Sequence, residues 1–445
     1  MTQTYYVGLD VHKETISIAH ALGGSREEST YHGQCSGSIA AVTKALQKLA
    51  EKLKVEFGDL KVCYEAGPTG FVIARHLIKK GVDCVLMSLS KTERKPGDKI
   101  KTDKRDACNI ARLFRNGDIT QVRIPPVLDE AVRDVCRART DASDDLIRAK
   151  QRLNAFLLRN GFHYTGKSKW TAAHMRYLRE LTMPSEPQRI VLEESIQAID
   201  ACELRIVRLV TKMKQLLETW EWKPVVLALM ACKGFQEVAA MTLMSELGDL
   251  RRFDHPRKLM AFLGLVPSEA SSGGKKRQGS ITKCGNSHSR WMLVECAQHF
   301  RKAPRISAAL TTRQEGQSEE VKALSWRMQN RLYNRYVKLK ARGKTETKII
   351  VAIARELSGF IWELQTKLKL PIPGPAIPTA SGKGTGMKDT GTNHGAAAPR
   401  PAELRQLDPV SSPLNPPRGT SPLPSPRGGG GKRLKKPTLA TNTPT

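Results

Sequence analysis

The sequence predicts an α/β domain at the N-terminus, a mainly helical remainder, and a tail that does not fold. Three observations lead there. Short apolar runs alternate with helix-periodic segments over roughly the first 120 residues. From about residue 125, apolar positions recur at steps of three and four. After about residue 371, Pro, Gly, Ser and Thr dominate.

The first zone is read element by element. Tyr5 to Leu9 is a short apolar run, and Thr15 to Leu22 follows the polar stretch His12-Lys13-Glu14. That is the pattern of two neighbouring strands joined by a turn. Glu28 to Gln34 predicts a third strand. Ile39, Val42, Leu46, Leu49 and Leu53 fall at helical spacing. Leu60 to Tyr64 reads as a strand, and Phe71 to Lys80 as a helix that Gly81 ends. Asp83 to Leu89 is another strand. A basic loop with Pro96 and Gly97 precedes a helix from about Thr102 to Arg115. Three strands, helix, strand, helix, strand, helix is the order of a ribonuclease-H-like mixed sheet, placed in residues 1–124.

The second zone, 125–222, is helical and strongly charged. Leu192, Ile196, Ile199, Glu203, Ile206, Val210, Met213 and Leu217 form a heptad seam broken once, at Glu203. A coiled-coil arm that dimerises is expected, with an amphipathic helix packed on its own domain as the alternative. The third zone, 223–370, opens with two short helices around Lys233-Gly234 within Leu227 to Leu247. A Gly- and Lys-rich loop, 271–286, separates them from helices over Arg290 to Arg301 and Lys322 to Leu368. The fourth zone, 371–445, has no aromatic residue, and its only carboxylates are Asp389, Glu403 and Asp408. It buries too little to fold, so a disordered basic tail is expected.

Charge narrows the partner. The 445 residues carry 73 Lys+Arg against 43 Asp+Glu, a formal net charge of +30. Such a field favours a polyanion, with nucleic acid first. No run of about 18 apolar residues is present, so no membrane partner is expected. The first ten residues lack a signal-peptide pattern, so a cytoplasmic location is expected. The nine cysteines are scattered and never form a C-x-x-C pair, which argues against zinc and against a disulfide framework.

Four carboxylates stand out. Asp10 ends the first apolar strand and Glu65 ends another, and the two strands would be neighbours in this fold. Asp103 and Asp106 lie three apart at the start of a helix, hence on one face. Four acids meeting at one point repel and raise one another's pKa unless a cation is present. Magnesium suits such oxygen ligands and keeps positions open for water and phosphate. Two ions about 4 Å apart would clamp the attacking and leaving oxygens of a phosphodiester. Lys99, Lys101, Lys104 and Arg105 are placed to bind substrate phosphates. Taken singly, aspartates at helix starts are commonly caps, and lysines commonly a solvated face.

Tyr6-Val7-Gly8-Leu9-Asp10-Val11-His12-Lys13, then Glu65-Ala66-Gly67, then Lys101-Thr102-Asp103-Lys104-Arg105-Asp106-Ala107 resemble the signature of the DEDD-type insertion-sequence transposases. Phe253 to Pro267 is similar to a further family segment. So are Ser271-Ser272-Gly273-Gly274, Gly279 to Asn286, and Ile349 to Trp362. The resemblance spans about residues 4–366 and stops before the tail. It implies a RuvC-like nuclease domain, a helical coiled-coil segment, and a C-terminal transposase domain with a nucleophilic serine. It also implies a bacterial, nucleoid-associated protein, donor and target DNA as partners, and guidance by a structured noncoding bridge RNA.

The serine loop reads consistently with that. Small residues let backbone approach a phosphate closely. A serine hydroxyl attacking phosphorus would hold the strand covalently until rejoining. Ser271, Ser268 and Ser280 compete with Ser272, and the resemblance favours Ser272 because the family serine directly precedes a glycine. Lys275, Lys276, Arg277, Lys283 and Arg290 are the expected phosphate contacts around it. One departure concerns Cys232-Lys233-Gly234-Phe235-Gln236, where relatives often carry a Gly-x-Gly hairpin, which puts phosphate binding there in doubt.

The function expected is therefore RNA-guided cutting and rejoining of DNA by a homo-oligomer, dimer or tetramer. The acids would hold magnesium, and the serine would carry the strand. The alternative is a metal-dependent, structure-specific endonuclease of the junction-resolvase kind, without covalent serine chemistry. A binder that no longer cuts is the third possibility, and the intact acid set speaks against it.

Overall fold

The protein is described from a computed structural model, for residues 3–88, 102–272, 275–368 and 370–371. The expected basic tail, apart from Pro371, and the loop holding Lys99 and Lys101 lie outside the described residues.

The N-terminal elements run β1 (Tyr5–Val11), β2 (Thr15–Leu22), β3 (Thr30–Ser36), α1 (Ile39–Leu53), β4 (Leu60–Glu65), α2 (Val72–Lys79), β5 (Asp83–Met87), α3 (Asp103–Asn116) and β6 (Gln121–Val122). The strand order is β3-β2-β1-β4-β5-β6. β1 pairs antiparallel with β2 and parallel with β4, and β4 pairs parallel with β5. This is the expected mixed sheet, plus the short edge strand β6, which pairs antiparallel with β5. Two residues are too few to show a period, so β6 has no sequence signature.

Alternation along the strands divides the sheet into two faces. Val7, Leu9, Val62 and Tyr64 face α1 and α2, packing with Leu46, Leu49, Ala74 and Leu77. The opposite face carries small residues. Ala19 and Ala21 meet Ala107 and Ala111 of α3, and Cys63 meets Ile110 and Phe114. Gly8 allows this approach. A Cβ there would lie 2.4 Å from both the Ala107 carbonyl oxygen and the Ala111 nitrogen. Helix α3 is therefore seated directly on β1.

The helical zone begins with α4 (Val127–Arg159), α5 (Ala172–Glu180) and α6 (Glu186–Thr219). The seam of α6 is closed within the chain, because α4 runs antiparallel along it. At the far end, Leu192, Ile196 and Ile199 pack on Leu153, Phe156 and Leu157. At the near end, Met213 and Leu217 share a cluster with Val132 and Cys136. The break at Glu203 is an ion pair, with Lys150 Nζ 2.8 Å from its carboxylate. Arg205 donates to Asp145 at 3.2 Å nearby. A second chain is thus not needed to account for the heptad pattern. At about 1.5 Å per residue, α4 spans roughly 50 Å.

The C-terminal region contains α7 (Lys223–Met230), α8 (Glu237–Leu247), α9 (Pro256–Phe262), β7 (Pro267–Ser272), β8 (Lys275–Ile281), α10 (Ser287–Ala297), α11 (Ala308–Gln314), α12 (Glu319–Ala341) and α13 (Glu346–Lys367). Its core draws on α7, α8, α10, α12 and α13, and takes in the arm's near end. There, buried Asp129 accepts hydrogen bonds from Trp220 Nε1 (2.9 Å) and Trp222 Nε1 (3.2 Å).

The segment expected to be a loop is largely an antiparallel hairpin, with Ser272 opposite Lys275 and Pro267 opposite Ile281. Its strands are polar and show no hydrophobic alternation, which is why the pattern reads as a loop. Gly273-Gly274 between the strands is the available hairpin signal. Among the described residues, no helix is long and apolar enough to cross a membrane.

Candidate metal centre and serine hairpin

Alternation places Asp10 on the same face as Gly8, hence on the α3 side of the sheet. The first turn of α3 carries Asp103 and Asp106. Thr102 caps that turn, its hydroxyl accepting from the Arg105 amide at 3.4 Å. The capping role at this helix start is therefore filled by Thr102 and not by an aspartate side chain. Glu65 comes from the neighbouring strand. Tyr64 pairs with Leu9 in parallel register, so Glu65 and Asp10 are each one residue further on. Glu65 also alternates with Tyr64 onto the face of Cys63, the α3 face.

Asp10 is buried, at 9% exposure. His12 Nε2 lies 3.2 Å from its Oδ2 and 3.7 Å from Asp103 Oδ1. Burial pushes the Asp10 carboxyl above its ordinary range, His12 pulls it down, and Asp106 and Asp103 push it up again. Asp10, His12 and Asp103 each offer a ligand atom within 4.8 Å of one another. A buried carboxylate crowded by two more acids is an arrangement that a cation relieves. The donor set fits a divalent metal site: hard carboxylate oxygens with one imidazole at the rim.

Two contributors do not stand out in the sequence. His12 stands in the Asp10 motif, two residues after the aspartate, but the pattern does not mark it as a ligand. Gly8 sits inside the quoted motif, but its role appears only when α3 is packed on it. Of the expected phosphate ligands here, Lys104 is exposed with its ammonium 5.5 Å from the Tyr31 ring centroid, and Arg105 is exposed. Lys101 lies outside the described residues.

The serines belong to a different cluster of elements. Ser271 and Ser272 are the last residues of β7, opposite Lys276 and Lys275. The hairpin root is fixed by two backbone crossings. A Cβ on Gly264 would lie 2.3 Å from the Cys284 carbonyl oxygen, and one on Gly285 would lie 1.9 Å from that of Phe262. Both glycines have positive φ, +64° and +73°. The two stretches quoted above, Phe253 to Pro267 and Gly279 to Asn286, thus meet at these crossings. Asn286 caps α10 and donates to Glu246 at 2.7 Å, and Arg137 of α4 donates twice to the same carboxylate, at 2.7 and 3.0 Å. Burial pushes the Glu246 carboxyl up, but the bonds from Arg137 and Asn286 outweigh it and leave the group below its usual range.

Arg277 and Lys283 are exposed. Arg290 turns inward, donating to the carbonyls of Leu263 (2.9 Å) and Cys284 (3.1 Å). Lys233 is likewise engaged, its ammonium 3.0 and 2.8 Å from the carbonyls of Lys302 and Ala303. Burial and the nearby Lys302 hold its pKa below the usual lysine value. Gly234 beside it has φ +90°, and a Cβ there would sit 2.8 Å from the Cys296 carbonyl oxygen. The two short helices pack around this turn, with Lys233 bonded to the protein's own backbone.

Comparisons with known proteins agree with this anatomy. Residues 7–161 match the DEDD transposase family model of the IS110 type. Residues 227–311 match the model described as transposase IS116/IS110/IS902 family. The chain is 40% identical over 359 residues to putative transposase y4qE of Sinorhizobium fredii (strain NBRC 101917 / NGR234), covering 81% of this chain and 88% of that protein. It is 32% identical over 351 residues to the transposase for insertion sequence element IS1533 of Leptospira borgpetersenii, covering 77% and 99%. With a relative this similar over most of both lengths, and with models matching at both ends, the chain belongs to the IS116/IS110/IS902 family of insertion-sequence transposases.

Proposed function

We propose that this transposase cuts and rejoins donor and target DNA by serine transesterification, with a divalent cation held by its acids and a bridge RNA choosing the sites. The observation that carries the reading is the crowding of Asp103 and Asp106 around buried Asp10 on the face of the sheet that α3 covers.

Asp10, Glu65, Asp103 and Asp106 would hold the cation, with His12 at the rim. Magnesium, when bound, would neutralise charge on the scissile phosphate. Ser272 would attack phosphorus through its hydroxyl oxygen. A new P–Oγ bond forms, the strand's P–O bond breaks, and the leaving strand oxygen takes up the proton. Rejoining is the reverse step on a new strand end, so no ATP is required. Lys104, Arg105, Lys275, Lys276, Arg277 and Lys283, with Lys101, would hold phosphates near the two centres, while Arg290, expected among them, holds the hairpin root instead.

The acids and the serine stand on separate domains, so the working site would be composite, assembled across subunits of a homo-oligomer. Exposed apolar residues on the arm, Ile147, Leu204 and Val207, support such assembly. RNA guidance rests on the family resemblance and is compatible with the strongly positive chain.

The test is strand cleavage of donor and target DNA with magnesium and the element's flanking RNA, on denaturing gels before and after protease. A protease-sensitive adduct that Ser272→Ala abolishes is the expected result. Cleavage that persists without an adduct in Ser272→Ala, but is lost in Asp10→Ala, would establish a plain metal nuclease instead. That second reading is favoured by one observation: Asp10, His12 and Asp103 bring three possible ligand atoms together without any residue of the hairpin.

A further inference from the structure

Behind the serine hairpin lies a groove of about 680 Å³. Its walls come from α9, the root of β7 and β8, α12 and α13. Five cations line it: Arg257, Arg331, Arg335, Lys348 and Arg355. Its one carboxylate, Glu356, is taken up by Arg331 at 3.2 Å and Arg335 at 3.1 Å. Among the described residues, no carboxylate pairs with Arg257, Lys348 or Arg355. The Arg335 Nε is buried and finds no hydrogen bond of good geometry. The floor is apolar, built from Met260, Leu265, Ile281 and Val351.

We infer that this groove binds a single strand of nucleic acid, phosphates on the cationic rim and a base on the apolar floor. The combination excludes simpler occupants. A duplex presents phosphates outward and would leave the floor bare. A single strand can splay a base inward, and arginine planes stack on bases as well as holding phosphates. None of these five cations is among the phosphate contacts expected around the serine.

Position links the groove to the serine, and here the inference rests on the serine reading above. Ser280 lines the groove, and five residue steps along β8 separate it from Lys275, which faces Ser272. At about 3.4 Å per residue that is about 17 Å. A strand held in the groove would reach the hairpin tip within about five nucleotides, taking about 3.4 Å per phosphate. The groove would thus deliver a strand to the serine or carry one away from it.

The experiment uses the full chain and fluorescence anisotropy. The probes are one short mixed-sequence single strand made as DNA and as RNA, an abasic version of each, and the matching duplex, each titrated at several salt concentrations. R257A/K348A/R355A should bind the single strands at least tenfold more weakly. Its slope of log affinity against log salt should fall by about 2, at ~0.7 for each phosphate no longer neutralised. Wild type should bind the abasic strand more weakly than the normal one, and the variant should not distinguish them. R257A/K348A, which alters only exposed side chains, should show the same trend and excludes misfolding as the cause. Tighter binding of DNA or of RNA would identify which strand the groove serves, and either supports the site. Unchanged single-strand affinity, or an equal loss for the duplex, overturns it. Ser272→Ala, assayed in parallel for the protein–DNA adduct, reports on the serine reading alone and should bind all probes normally.

Discussion

The acid site and the serine hairpin are both held in place by glycines, but in opposite ways. At the acid site, Gly8 lets a whole helix settle on a strand, and the aspartates arrive with that helix. The cluster is a product of core packing. At the hairpin, Gly264 and Gly285 let two loops cross backbone to backbone, and beyond the crossings Ser268, Glu269, Arg277 and Gln278 are exposed. The contrast suits the proposed division of labour. A metal site needs fixed oxygen geometry, whereas the hairpin needs a fixed root from which the strand carrying Ser272 extends.

The most disruptive way to probe this contrast is to add one carbon to each glycine. Gly8→Ala forces its Cβ against the α3 backbone, which cannot yield as a side chain would. A loss of about 3 kcal/mol is expected. Any folded remainder should lose acid-dependent metal binding, because α3 has been pushed away. Gly285→Ala adds left-handed strain to a contact of 1.9 Å, with a cost of similar size. Its damage should stay local, however. Urea unfolding and magnesium calorimetry on both variants check this. If Gly285→Ala abolishes metal binding as completely as Gly8→Ala, the two regions are not independent.

The same contrast explains what is legible in the sequence. The succession of strands and helices along the chain, and the places of Asp10, Glu65, Asp103 and Asp106 at strand ends and a helix start, are readable because apolar alternation and helical spacing report burial directly. His12 and Gly8 are not, since one acts through a neighbour across a turn and the other through a helix about 100 residues away. The heptad seam of α6 is readable, but its partner is not. Periodicity shows that a stripe is buried and is silent on what buries it, here α4 of the same chain. The hairpin escapes a reading by pattern because polar strands on a two-stranded sheet need no hydrophobic period. The groove behind it draws on residues from 255 to 356, and no local window brings its cations together.

Two intermediate effects test the base of the arm, where α4 meets the C-terminal core. Asp129→Ala strands the indole N–H groups of Trp220 and Trp222 in a buried site. About 2–3 kcal/mol should be lost. Asp129→Asn keeps one good acceptor and should lose about half of that, read as a shift in the urea midpoint. An Asn variant as unstable as Ala would mean that charge, not acceptor count, matters there. Glu246→Gln removes the charge that Arg137 and Asn286 hold, and should cost about 2 kcal/mol, discounted because Arg137 is half exposed. The sign of its pH dependence is fixed. Glu246 has a lowered pKa in the fold, so its contribution is present above the usual glutamate range and is lost as pH falls through the folded value. Wild type should therefore lose stability toward acid faster than Glu246→Gln, and parallel profiles would contradict this.

The smallest effect in kcal/mol says most about the acid site. Asp10 is buried beside two other acids, and its pKa is raised. A raised carboxyl is neutral in the fold at pH values where the unfolded chain has already ionised. The metal-free protein therefore gains stability as pH falls through that window and loses it as pH rises. Asp10→Asn removes the buried charge without changing the shape of the side chain. At neutral pH it should raise the melting temperature of the metal-free protein by an amount worth on the order of 1 kcal/mol. Added magnesium should then stabilise wild type by mass action and leave Asp10→Asn unmoved. Thermal melts of both proteins, with chelator and with magnesium, carry the whole test. An Asn variant less stable than wild type in chelator would show that Asp10 is a structural anion satisfied by His12. A magnesium shift surviving in the variant would place the ion elsewhere. The crowding of acids on α3 and β1 has a purpose only if the fold is strained without a cation and relaxed with one.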